Sequence, residues 1–206
     1  YFYLYNSGEI ISPLSAVSTE NGIDEIINTG TMVGGLNIGW GEVLSGWDDY
    51  VENTGSIHGD IGLGAGDDTV LGQTGFIEGT IDAGAGDDLI KSGTGDDMII
   101  GGAGADDIWG GAGVDTASYE GSADGVRVSL NAGRGWFGDA QGDVLREIEN
   151  LIGSDRRDTL IGNSAANLIE GGNADDVLNG LAGDDTLLGG NGADNILGGT
   201  GNDYIS

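Results

Sequence analysis

Gly189-Gly190-Asn191-Gly192-Ala193-Asp194-Asn195-Ile196-Leu197 is followed directly by Gly198-Gly199-Thr200-Gly201-Asn202-Asp203-Tyr204-Ile205-Ser206. These nonapeptides close a run of six in unbroken register, with units beginning at Gly153, Gly162, Gly171, Gly180, Gly189 and Gly198. The sixth place holds Asp158, Asn167, Asp176, Asp185, Asp194 and Asp203; the eighth holds Leu160, Ile169, Leu178, Leu187, Ile196 and Ile205. Glycines in the first half of each unit permit positive φ and let carbonyl oxygens converge in a sharp turn. The second half, Asp-x-apolar-x, is a very short strand whose alternate side chains face opposite ways. Two units then make one flattened coil of a parallel β-solenoid, with the eighth-place residues stacked as its core. Neighbours on one rim recur every second unit. Asp158, Asp176 and Asp194 therefore share one rim, and Asn167, Asp185 and Asp203 the other.

Carboxylates stacked about 4.8 Å apart repel unless a cation lies between them. Oxygen donors of flexible geometry, many of them carbonyls, suit Ca²⁺ rather than a transition metal. A second block of four units begins at Ala83, Ser92, Gly101 and Gly110, with Asp88, Asp97, Asp106 and Asp115 sixth and Ile90, Ile99, Ile108 and Ala117 eighth. An isolated unit, Leu63 to Leu71, sets Asp68 twenty residues before Asp88. Same-rim spacing pairs Asp68 with Asp88, Asp88 with Asp106, Asp97 with Asp115, Asp158 with Asp176, Asp176 with Asp194 and Asp185 with Asp203. A weaker pair joins Asn167 and Asp185.

The rest of the 206 residues divides around these blocks. Residues 1–21 read as an N-terminal cap or linking strand, in which Tyr1, Tyr3 and Tyr5 alternate with Phe2 and Leu4 and Pro13 interrupts regular structure. Residues 22–82 read as wider β-helix coils of about twenty residues. Gln73-Thr74-Gly75 repeats Asn53-Thr54-Gly55, Asn28-Thr29-Gly30 is an earlier copy, and the acidic pairs Asp24-Glu25, Asp48-Asp49 and Asp67-Asp68 precede the three. Residues 83–118 are the first nonapeptide roll, and 153–206 the second. Between them, 119–152 read as a linker or hairpin, with Val126, Val128 and Leu130 alternating in a strand and Trp136-Phe137 packing on the roll.

Composition narrows the function. Six Lys and Arg against 35 Asp and Glu give a net charge of −29, which excludes nucleic acid and anionic membrane as partners. Forty-four glycines and that charge ordinarily mean disorder, so the fold is expected to depend on bound cations. There are no cysteines for disulfides or thiolate sites, and no apolar run of membrane-spanning length. Neither end has the features of a complete secreted chain, so the sequence reads as part of a longer protein.

The two blocks resemble the RTX, or haemolysin-type calcium-binding, family of secreted bacterial proteins. The segments Ser118-Tyr119-Glu120-Gly121-Ser122 and Ile148-Glu149-Asn150-Leu151-Ile152-Gly153-Ser154 are similar to connections between repeat blocks in that family. The resemblance implies an all-β parallel β-roll, extracellular or cell-surface location, type I secretion unfolded, and folding on several Ca²⁺ ions outside the cell. It also implies which groups hold them: Asp68, Asp88, Asp97, Asp106, Asp115, Asp158, Asn167, Asp176, Asp185, Asp194 and Asp203. With these come the turn glycines Gly64, Gly66, Gly84, Gly86, Gly93, Gly95, Gly102, Gly104, Gly111, Gly113, Gly171, Gly172, Gly183, Gly190 and Gly192, through their carbonyls. Departures weaken the units at 153 and 162: Asn167 replaces an acid, and Ser154-Asp155-Arg156-Arg157 has no turn glycine. Ala174 and Leu181 also replace glycines.

Two other functions compete with a calcium-binding module. One is calcium-dependent adhesion, filament or surface-layer assembly, in which Trp40, Trp47, Trp109 and Trp136 stack on cell-surface polysaccharide or the solenoid ends self-associate. Trp109 is the best exposed of the four, since the ninth place faces out. The other is a part of a polysaccharide-active β-helix lyase or epimerase, with Asp48, Asp49 and Glu52 set around His58. Lys91 is the sole cation in that half, which argues against chemistry on acidic sugars and favours a non-enzymatic module.

Overall fold

The computed structural model describes residues 2–18, 24–37 and 46–206. They form a parallel β-solenoid of about nine turns, and the described residues hold no α-helix. In the nonapeptide blocks Leu89 pairs with Asp107, Leu168 with Thr186 and Val177 with Asn195, an offset of eighteen residues per coil. Side chains alternate along each short strand, so one residue in two enters the interior. The inward residues stack in two columns. One runs Ile26, Val51, Val70, Ile90, Ile108 and Leu145; the other runs Ile61, Ile81, Ile99, Ala117, Leu151, Ile169 and Leu187, and all are buried.

The turns need backbone angles that side chains resist. Gly102 has φ +98° and Gly104 +152°, and a Cβ on either would strike the carbonyl of Gly84 or Gly86 one coil before. Ala174 (φ 76°) and Leu181 (φ 74°) hold the same turn without glycine, each at a cost of about 1–2 kcal/mol.

The coils before residue 80 are larger because they have a third side. Glu25 pairs with Tyr50, Tyr50 with Thr69 and Thr69 with Leu89, offsets of 25, 19 and 20 residues. Met32, Ile57 and Ile77 form the extra inner column. At the corner beside it, Asn6 Nδ2 donates to Asn28 Oδ1 and Asn28 Nδ2 to Asn53 Oδ1, both at 2.8 Å. This buried amide ladder satisfies the polar groups that a bend would otherwise strand. Ile61–Ile81 and Thr69–Leu89 pairings carry the same sheets into the nonapeptide coils.

Pro13 does not end its strand, which runs Glu9–Ser18. The ladder to Thr31–Asn37 instead shifts register between Ile11 and Ser15, because proline has no N–H to contribute. Tyr3 and Tyr5 are about half exposed, while Leu4 packs on the core. Tyr1 and Trp40 lie outside the described residues.

Between the rolls, one face of the solenoid is continuous: Met98–Ala103, Thr116–Ser118, Asn150–Ile152 and Leu168–Asn173 follow in parallel. The other face receives an inserted hairpin. Arg127–Ser129 and Arg134–Trp136 pair antiparallel, Arg134 meets Val144 antiparallel, and Arg127 pairs parallel with Thr159. The hairpin thus fills the sheet between Val144–Arg146 and Thr159–Ile161. Trp136 lies under the Arg127 guanidinium, 5.2 Å from its ring centre. Phe137 does not pack on the roll as its sequence suggested; it is 61 % exposed, carried outward by a backbone at φ 65° that leads into the 3-10 turn Gly138–Ala140.

Candidate metal centre

The sixth-place residues of neighbouring coils are joined by one repeated hydrogen bond. The N–H of each donates to Oδ1 of the next along the rim: Asp68 to Asp88 at 2.7 Å, Asp88 to Asp106 at 3.0 Å, Asp97 to Asp115 at 2.9 Å, Asp158 to Asp176 at 2.8 Å, Asp176 to Asp194 at 3.0 Å, Asn167 to Asp185 at 2.8 Å and Asp185 to Asp203 at 3.1 Å. Each carboxylate is therefore turned toward the preceding coil, and one oxygen is satisfied there. The other oxygen lies over the first residue of its own unit. A Cβ on Gly171 would meet Asp176 Oδ2 at 2.5 Å, and Cβ atoms on Gly101, Gly110 and Gly180 would strike Asp106, Asp115 and Asp185.

That second oxygen has no donor. Oδ2 of Asp68, Asp88, Asp97, Asp106, Asp115, Asp176 and Asp185 is buried with no hydrogen-bond partner, and in Asp97 Oδ1 is unpartnered as well. A buried carboxylate oxygen without a donor is costly, and seven at one structural position constitute a requirement for positive charge. Asp194 and Asp203 are half-buried in the last coil.

Backbone carbonyls supply the remaining oxygens. Those of Gly64, Gly66, Gly84, Gly86, Gly93 and Gly95 face the turn of the following coil, where a Cβ on Gly84, Gly86, Gly102, Gly104, Gly111 or Gly113 would collide with them. In the second roll Gly172 and Gly183 face Gly190 and Gly201, and the carbonyl of Ala174 faces Gly192. The Gly171 carbonyl turns the other way, toward Gly153. Among the described residues no three carboxylate, imidazole or thiol side chains converge on one point, so any ion here takes most of its ligands from the backbone. Hard oxygen donors of this kind fit Ca²⁺.

Without a cation the carboxylates hold protons tightly. Burial, reinforced by the Asp143, Asp88 and Asp87 carboxylates, pushes Asp106 up to about 8. Burial likewise takes Asp88 to about 7, and Asp68, Asp97, Asp115 and Asp176 to about 6.

At three positions the protein supplies the missing donor itself. Asp158 Oδ2 accepts the Ser154 N–H at 2.6 Å and its hydroxyl at 3.1 Å. Asn167 Oδ1 accepts the Asn163 N–H at 2.8 Å, while its amide donates to the Glu149 carbonyl at 2.7 Å. Asp143 Oδ1 accepts the Asp106 N–H at 3.1 Å, and its Oδ2 accepts the buried Tyr119 hydroxyl at 2.8 Å. Units 153 and 162 are thus closed by side-chain and backbone donors where the others are open. Tyr119→Phe should leave Asp143 Oδ2 stranded and lower stability by about 1–3 kcal/mol, read as a shift of the urea midpoint in saturating calcium.

The ladders also include residues that periodicity did not mark as ligands. Asp24 donates its N–H to Asp49 Oδ1 at 2.8 Å, Asp49 donates to Asp68 Oδ1 at 2.6 Å, and Asp115 donates to Glu149 Oε2 at 2.9 Å. In the sequence Asp24 stands out only as a member of an acidic pair, and Asp49 only so and as a carboxylate set around His58. Asp143 and Glu149 lie 37 and 34 residues after their partners, beyond any repeat.

The acidic group proposed around His58 does not assemble. His58 Nδ1 bonds Glu78 at 2.7 Å, Asp48 accepts the Asp67 N–H, Asp49 faces Asp24, and Glu52 accepts from Tyr50 and Gln73. Nor is Trp109 an open platform. Lys91 and Arg146, its neighbours on adjacent strands, lie 5.3 and 4.6 Å from its ring centre, and Arg146 pairs with Asp107. Among the described residues the exposed indole is Trp47, at 47 %.

The model of the RTX calcium-binding nonapeptide repeat matches residues 80–117, 152–187 and 170–205. No curated protein matches the chain.

Proposed function

We propose, from the premise that residues 80–117 and 152–205 are RTX calcium-binding nonapeptide repeats, that the chain is a module of a secreted protein which folds and stiffens on extracellular Ca²⁺. The observation that carries this is the set of seven buried carboxylate oxygens without a donor, repeated at one position of the coil. Of these, Asp88, Asp97, Asp106, Asp115, Asp176 and Asp185 would hold the ions of the rolls, with turn carbonyls completing each shell. Calcium supplies the positive charge and the multiple oxygen bonds that the buried rims lack. The chain's own part is to aim one oxygen of each carboxylate except Asp97 with a backbone N–H and to leave the other free; in Asp97 both are free. Extracellular sites of this type bind at roughly 10⁻⁴–10⁻³ M, so the rims would be empty before export and filled after it. Among the described residues no helix is long and apolar enough to cross a membrane. Titration calorimetry with Ca²⁺ on cation-free protein is expected to show several ions bound in that range. A chain that takes up none would overturn the proposal.

A further inference from the structure

The turn Gly46-Trp47-Asp48-Asp49 carries no nonapeptide pattern and lies outside the residues matched by the repeat family. Its stacking on the turn at Gly64–Asp68 nevertheless reproduces three hydrogen bonds and one carbonyl approach of a repeat-to-repeat gap. Asp49 N–H donates to Asp68 Oδ1 at 2.6 Å, as Asp68 N–H does to Asp88 Oδ1 at 2.7 Å. Asp67 N–H donates to Asp48 Oδ1 at 3.0 Å, as Asp87 N–H does to Asp67 Oδ1 at 2.9 Å. Thr69 N–H donates to the Asp49 carbonyl at 2.8 Å, as Leu89 N–H does to that of Asp68 at 2.9 Å. The Trp47 carbonyl faces Gly66 as the Gly66 carbonyl faces Gly86. Trp47 stands where the repeats have their fourth-place glycine, which hides the turn from any motif.

Asp68 is 1 % exposed, and its Oδ2 has no partner. The bond from Asp49 turns this carboxylate toward the 46–49 coil. We infer that a divalent cation of the calcium type binds between the turns at 46–49 and 64–68, held by Asp68 Oδ2 and by backbone carbonyls that include Trp47's. The cation ladder thereby runs into the three-sided coils and ties them to the roll. This rests on the reading of the rolls as calcium sites and extends it to a turn with no repeat signature.

Terbium serves as the probe, because an indole beside the ion sensitises its emission and Trp47 contributes both a ring and a carbonyl. In the whole chain, Trp47→Phe is expected to remove most of the indole-excited terbium emission while the number of calcium ions bound stays the same. Asp68→Asn is expected to lose that emission and one calcium ion per chain. Asp88→Asn, one coil further on, should lose an ion yet keep the emission. Emission unaffected by Trp47→Phe, or an ion count unaffected by Asp68→Asn in a folded chain, overturns the inference while leaving the rolls' own sites intact. Should Asp68→Asn not fold, the Trp47→Phe emission decides alone, since that substitution alters only an exposed ring. A wild-type chain that binds no calcium fails the underlying reading instead.

Discussion

Removal of calcium at neutral pH is expected to abolish most of the β-sheet circular-dichroism signal, and return of calcium to millimolar levels to restore it cooperatively. The opposing magnitudes decide this. A buried polar oxygen left without a partner costs about 1–3 kcal/mol, so seven together cost on the order of 7–20 kcal/mol. Domains of this size are stable by about 5–15 kcal/mol in all. The interior cannot absorb that difference, because each short strand sends only one or two apolar side chains inward. The net charge of −29 adds self-repulsion. Bound calcium acts in the other direction: an ion at ten times its dissociation constant contributes about 1.4 kcal/mol, and it also removes the unpartnered oxygen it ligates. Loss should be uneven along the chain. Hydrogen exchange in chelator is expected to spare residues 119–167 longest, where Tyr119, Ser154 and Asn163 donate to Asp143, Asp158 and Asn167. A spectrum unchanged by chelator would mean that the free oxygens tolerate their charge without a cation.

The contrast between those two regions explains how far the sequence could be read. Within the blocks every ninth residue repeats one environment, so the two inward columns, at Ile90 and Ile108 and at Ile99, and the two rims, at Asp88 and Asp106 and at Asp97, follow from spacing alone. Asp143 and Glu149 occupy the same rim positions after an inserted hairpin, and an insertion of irregular length erases the period that would reveal them. The three-sided coils are a similar case. Asn28-Thr29-Gly30 and Asn53-Thr54-Gly55 showed a repeat, but not that the asparagine amides stack inside a corner and turn a two-sided coil into a three-sided one. Trp109 was misjudged for a different reason. The ninth place does face out, yet a side chain there is covered by whatever stands on the neighbouring strands. One cover, Lys91, is eighteen residues away; the other, Arg146, is brought alongside only by the insertion.

Acid should replace calcium. In the cation-free fold Asp106 titrates at about 8, Asp88 at about 7 and Asp68, Asp97, Asp115 and Asp176 at about 6, against an ordinary value of 3.8 for each. These folded-state values lie above the unfolded ones, so the folded chain binds more protons than the unfolded chain throughout that interval. Its stability therefore rises as pH falls from about 8 toward about 4 and is lost as pH climbs back. Raising one carboxyl's titration by a single pH unit corresponds to about 1.4 kcal/mol, and that much at each of the six would already amount to about 8 kcal/mol. Protein stripped of cations by gel filtration is thus expected to be unfolded at neutral pH and to regain its β-sheet signal near pH 5. The same protons compete for the calcium oxygens, so calcium affinity should fall over that range, and binding near pH 6 should release protons. General charge reduction would also favour compaction in acid, and Asp106→Asn separates the two effects. An amide at 106 stays uncharged at every pH and has a precedent on the other rim, where Asn167 donates to the Glu149 carbonyl. The cation-free variant is expected to stay folded to a higher pH than the parent. If its midpoint does not move, the buried rim carboxylates are not what drives the chain apart.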